Sequence, residues 1–163
     1  MRIAVVQLGY ADAEPMAARV ERAASMVREL AGHDLVMLPE LWGAGGFDYR
    51  RWDERAEAAD GPLAGAMAAA ARDAGVVLHA GSLVERGSAP GPEGKTLWNT
   101  SLVFDRDGRE VARYRKIHRF GFAEGEPALM EAGDDIVVVD LPLGAADDGS
   151  GDAAPIRTGL STC

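Results

Sequence analysis

Three residues that could do chemistry together lie far apart in this chain: Glu40, Lys116 and Cys163, a carboxylate, an ammonium and the only thiol. Each closes a strand-like run. Glu40 follows Leu38-Pro39, Lys116 follows Val111-Ala112-Arg113-Tyr114-Arg115, and Cys163 ends the segment that starts at Pro155. In α/β sheets, ligands and reacting groups gather beyond strand C-termini, so three such ends can converge. The chemistry of the set is nucleophilic. A carboxylate can take the thiol's proton, while an ammonium stabilises first a thiolate and then an oxyanion. Each residue also has a plainer reading: a solvated loop carboxylate, one member of the basic run from Arg113 to Arg119, and a small buried hydrophobe.

The elements that must position these ends follow from hydrophobic spacing. Residues 3–8, apolar but for Gln7, are predicted as a strand covered on both faces. Glu14-Pro15 opens a helix with Met16, Val20, Ala23, Val27 and Leu30 on its buried stripe. Arg19, Glu21, Arg22, Arg28 and Glu29 are expected on its surface, and Gly32 stops it. Asp34 to Pro39 is a second buried strand, and Leu41 to Tyr49 a loop rich in glycine. Gly61-Pro62 starts another helix, with Leu63, Met67, Ala70, Ala71 and Ala74 on one face and Gly75 at its end. Val76 to Glu85 is a third strand, and Gly87 to Lys95 a connector. Leu97 to Asp105 and Glu110 to Lys116 form a hairpin about Asp107-Gly108. Ile136 to Leu141 is a further strand, Gly144 to Ala154 a mobile surface loop, and a last strand runs into Cys163. Early crossovers and later hairpins together predict an α/β chain of the α+β kind, with mixed sheets and helices on an outer face.

Composition narrows the function classes. A length of 163 residues suffices for one domain with a core. The formal net charge of −9 argues against a nucleic-acid partner, which needs a basic footprint. One cysteine leaves no internal disulfide, and no apolar run approaches membrane-spanning length, so no membrane partner and a cytoplasmic location are expected. His33, His79 and His118 are too scattered for a ligand pattern, and neither metal nor cofactor is expected. Phe47, Asp48 and Tyr49 either line a substrate pocket or are ordinary loop residues. His118 and Arg119 either contact a substrate carboxylate or face solvent. Asn99-Thr100-Ser101 matches a glycosylation acceptor, but nothing directs the chain to a secretory compartment.

The segments Leu38-Pro39-Glu40-Leu41-Trp42, Tyr114-Arg115-Lys116-Ile117-His118 and Gly159-Leu160-Ser161-Thr162-Cys163 resemble, in order and separation, the three signature segments of the nitrilase superfamily, the carbon–nitrogen hydrolases. The opening run from Met1 to Gln7 and Trp98-Asn99-Thr100-Ser101 are similar to that family's first strand and to its segment before the hairpin. The resemblance implies the N-terminal portion of an α-β-β-α sandwich, with residues 1–163 as one domain truncated on its C-terminal side. It implies Glu40 as general base, Lys116 as an oxyanion-holding group and Cys163 as the nucleophile that forms a thioester. It also implies a second glutamate between lysine and cysteine: Glu126 is the choice, with Glu124 in reserve. The activity implied is amidase-like hydrolysis of a small non-peptide amide. A nitrilase, an acyl transferase and a non-catalytic binding or dimerisation fragment are the alternatives. A homodimer or higher homo-oligomer is expected of the complete domain. This chain by itself is expected to be inactive, because an oxyanion donor would come from the residue after Cys163.

Overall fold

The computed structural model describes residues 1–11, 13–122, 124–143 and 155–162, so the segment from Gly144 to Ala154 and Cys163 lie outside the described residues. Strands β1 (Ile3–Val5), β2 (Leu35–Met37), β3 (Val77–Arg86), β4 (Leu97–Phe104) and β5 (Glu110–Arg115) form one sheet in chain order. β1, β2 and β3 run parallel, with Ile3 opposite Leu35 and Leu35 opposite Val77; β3, β4 and β5 are antiparallel. Two helices, α1 (Met16–Glu29) and α2 (Pro62–Ala74), make the crossovers of the parallel half. A tight turn joins β4 to β5, where the Asp105 carboxylate accepts from the backbone N–H groups of Asp107 and Arg109, each at 2.9 Å. Helix α2 has Pro62 in its first turn and closes on Gly75, whose φ of 65° is left-handed.

The helices cover one face of the sheet. Ala23, Ala24 and Val27 of α1 and Leu63, Met67, Ala70 and Ala71 of α2 pack on Val36, Leu78 and Leu102. The many alanines let the helices approach each other and the strands closely. On the other face, strands β6 (Val138–Leu141) and β7 (Ile156–Gly159) pair antiparallel as a separate two-stranded sheet. Leu141 and Leu143, with Val137 and Val139, pack there on Leu35, Val77, Val103 and Ala112. The architecture is therefore mixed α/β with a mixed sheet, as the spacing predicts.

Two expectations are corrected. β1 is not covered on both faces: Ile3 and Val5 are exposed. β1 is the edge strand, and the small second sheet packs over β2 to β5 without reaching it. Arg19 is not a surface residue of α1 but fully buried. Its guanidinium donates to the carbonyls of Trp42 and Gly43, each at 3.1 Å, and to those of Ala11 and Glu14. A planar group with five donors can be buried when backbone carbonyls surround it.

An irregularity in β3 sets the position of the chain that leads into Glu40. The register shifts between His79 and Ser82, and Gly81 there has a φ of +65°. A Cβ at this position would lie 1.9 Å from the Pro39 carbonyl oxygen, so only glycine lets β3 press against the backbone just before Glu40. Gly81→Ala is expected to lose more than about 2 kcal/mol of stability, combining left-handed strain with the clash. Urea unfolding measures this, and a loss below about 0.5 kcal/mol would contradict the packing described.

Candidate active site

Glu40 lies in a segment clamped on both sides. The Leu38 N–H donates to the His79 carbonyl at 2.9 Å, and the Pro39 carbonyl accepts from Ser82 N–H at 3.3 Å. Past the glutamate, Leu41 N–H donates to Ser82 Oγ at 3.0 Å, and the Trp42 indole N–H to the Ala80 carbonyl at 2.9 Å. Leu41 itself has a φ of 48°, a strained conformation for a branched residue, costing on the order of 1–3 kcal/mol. The clamp and the buried Arg19 hold that strain and so aim the preceding side chain.

Lys116 immediately follows β5, its N–H bonded to the Asn99 carbonyl at 2.8 Å and its carbonyl to Gly133 N–H at 2.9 Å. Its ammonium is buried and donates to Glu40 Oε1 at 2.6 Å and Glu126 Oε2 at 2.8 Å. Burial alone would push this lysine's pKa down. The hydrogen bonds to Glu126 and Glu40 outweigh burial and hold it above the ordinary lysine value. Glu126 opens a single helical turn, α3 (Glu126–Leu129), and is buried; its Oε2 also accepts from Phe120 N–H.

Asn99 on β4 completes the group. Its Nδ2 donates to Glu40 Oε1 at 2.7 Å and also to Glu126 Oε1. Beside it, the buried Glu85 carboxylate takes two bonds from Arg115 and one from Thr100 Oγ1. Burial pushes Glu85 up, and these bonds outweigh it, so its pKa lies below the ordinary carboxylate value. Arg115 also stacks on Trp98 at 4.2 Å, and the pair anchors β5 one residue before Lys116.

A cavity of about 570 Å³ opens over the two glutamates and the lysine. Its wall carries Leu41, Phe47, Tyr49, Trp52, Phe120 and Phe122, with Glu124 at one side. The Tyr49 hydroxyl donates to Glu124 Oε2 at 2.7 Å, and that carboxylate pushes the phenol's pKa up. Such an apolar, largely aromatic wall around a few polar groups suits a small organic ligand.

The structure thus brings Glu40, Lys116 and Glu126 into one hydrogen-bonded cluster and puts Tyr49 on the cavity wall. Glu124 pairs with Tyr49 rather than with Lys116. His118 is exposed and not part of that wall. Cys163 is outside the described residues, but Thr162 Oγ1 lies 2.8 Å from Ser101 Oγ, two positions along β4 from Asn99. Sequence reasoning names Asn99 only within a family-like segment and a glycosylation triplet, with no role at the site. The available signal was an amide inside a fully buried strand, where polar groups require partners. Among the described residues no cluster of three or more His, Cys, Asp or Glu could hold a metal ion, and no helix is long and apolar enough to cross a membrane.

Comparison with known proteins adds an independent line. Residues 2–163 match the family model described as carbon-nitrogen hydrolase. A 2-oxoglutaramate amidase of Paenarthrobacter nicotinovorans is 38% identical over 161 residues, covering 99% of this chain and 51% of that protein. The human omega-amidase NIT2 is 34% identical over 121 residues, covering 73% of this chain and 41% of that protein. Among solved structures, a CN-hydrolase superfamily protein from Xanthomonas campestris with an arsenic adduct in its active site superposes with a TM-score of 0.75. It is 28% identical, and the match covers 99% of this chain and 52% of that one. The chain spans about half the length of these relatives.

The loop carrying Glu126 is tied down by an exposed ion pair. Arg119 donates to both oxygens of Glu93 and to the Met130 carbonyl, while Lys95 bonds the same glutamate. Hydrogen bonds from Arg119 and Lys95 lower the Glu93 pKa from 4.5 to about 2. A depressed carboxylate stabilises fully above its unfolded value, and the contribution fades as pH falls through the folded one. Glu93→Gln should therefore be less stable than the parent at pH 7, with the difference shrinking below about pH 4.5 and gone only below pH 2. A difference unchanged from pH 7 to pH 2 in denaturant titrations would contradict the ion-pair account.

Proposed function

The chain belongs to the carbon–nitrogen hydrolase family, and on that premise we propose that it supplies the catalytic glutamates, lysine and cysteine of an amidase acting on small non-peptide amides. The observation that carries the reading is the buried Lys116 ammonium bonded to both Glu40 and Glu126 beneath an apolar cavity. The amidase names of two relatives support an amide rather than a nitrile as substrate.

In this reading Glu40 takes the proton of the Cys163 thiol, and the sulfur attacks the amide carbon. The carbonyl electrons move to oxygen, and Lys116 stabilises the resulting oxyanion. Collapse of the tetrahedral intermediate breaks the C–N bond, the proton passes to nitrogen, and ammonia leaves a thioester on Cys163. Glu40 then takes a proton from water as the water attacks the thioester, releasing a carboxylic acid and the thiol. Glu40 suits this shuttling because its side chain is 31% exposed and lines the cavity, whereas the Glu126 side chain is 3% exposed. Glu126 holds Lys116 and the Phe120 N–H, and so shapes the wall on which substrate rests. The Tyr49 hydroxyl, whose proton goes to Glu124, lines the same cavity and has a lone pair to accept from the substrate.

The test is ammonia release from propionamide and 2-oxoglutaramate by the protein at its natural length. Cys163→Ala should abolish turnover, and Glu40→Gln should lower kcat by about 10²–10⁴-fold. Turnover surviving in Cys163→Ala would contradict the assignment.

A further inference from the structure

We propose that Asn99 is the positioning residue of this site, fixing Glu40, Lys116 and Glu126 relative to one another through both its backbone and its side chain. The inference rests on the reading of those three residues as the catalytic group.

Asn99 reaches all three. Its carbonyl accepts the Lys116 N–H at 2.8 Å, which sets where the lysine leaves β5. Its Nδ2 bonds one oxygen of each glutamate, and a primary amide nitrogen has two hydrogens, so its donors are fully used. The reversed amide would place Oδ1 against two carboxylate oxygens and leave Nδ2 without acceptors. In the orientation present, Oδ1 is buried with no hydrogen-bond partner among the described residues. A buried unmet acceptor is destabilising, so the two donor contacts are kept at a cost to the fold.

The resulting pattern separates the two acids. Glu126 has Oε1 bonded to Asn99 and Oε2 to Lys116 and Phe120. Glu40 has its Oε1 bonded twice, by Asn99 and Lys116, and among the described residues nothing donates to its Oε2. One oxygen of Glu40 is thereby pinned while the other is left for proton transfer. Asn99 is buried and absent from the cavity wall, so it acts through these neighbours and not on substrate.

Asn99→Ala and Asn99→Asp in the protein at its natural length test this, with propionamide and 2-oxoglutaramate as probes. Per folded molecule, kcat should fall about 100-fold in each, as expected for a misplaced catalytic group, with KM changed less than threefold. Asn99→Asp places a third carboxylate against Glu40, Glu126 and Lys116. The pH dependence of Cys163 alkylation by iodoacetamide, read by mass spectrometry, should then move upward by at least about one pH unit. A loss of activity matching the loss of folded protein, a KM effect at constant kcat, or an unmoved alkylation profile would each overturn the proposal. Where Asn99→Ala does not fold, the near-isosteric Asn99→Asp decides. Turnover in Cys163→Ala would sink the underlying reading; an inactive Cys163→Ala beside unaffected Asn99 variants sinks only the role of Asn99.

Discussion

An ammonium taken out of water must find negative or strongly polar partners or give up its proton. Lys116 is buried, and its two partners come from different parts of the chain: Glu40 beyond β2 and Glu126 on the turn after β5. Satisfying that one cation therefore constrains three backbone segments at once. The bulge at Gly81, the strained Leu41, the buried Arg19 and the Glu93–Arg119 clasp can all be understood as supports for segments that meet at the lysine. Removing one partner would leave an uncompensated buried charge, so the cluster is both a structural centre and a candidate for chemistry.

The same charges explain why the site is poised. Two carboxylates against one ammonium leave an excess of negative charge at the base of an apolar cavity, where the low dielectric magnifies electrostatic effects. Such a site can stabilise an oxyanion only through well-placed donors. In the proposed reading the lysine is that donor, and the asparagine amide keeps the two acids from drifting together or apart. Placement by strand ends, rather than by loops alone, gives the group its rigidity.

Much of this was legible in the chain, because local patterns set it. Helical spacing from Met16 and Leu63, the Asp107-Gly108 turn and the strand patterns before Glu40 and Lys116 all act over a few residues. What depends on distant partners was not legible. Arg19 looks like any exposed helix arginine until the carbonyls of Trp42 and Gly43 come round it. Asn99 reads as part of a polar triplet, since its partners lie 59 and 27 positions away. Glu126 is ranked above Glu124 only by resemblance, since the spacing of the loop does not separate them. Two residues apart on a bending loop, one meets Tyr49 and the other Lys116. The bare edge at Ile3 and Val5 likewise depends on how far a second sheet extends, which no single strand encodes.

The central claim is that this buried cation and its acids serve a covalent step on Cys163. Acid quenching of the protein during turnover of propionamide, followed by peptide mass spectrometry, addresses it directly. A propionyl group is expected on the peptide containing the Gly159-Leu160-Ser161-Thr162-Cys163 segment, localised to the sulfur and removed by hydroxylamine. Turnover with no acyl group on that cysteine under any quench time, or an acyl group on another residue, would contradict it.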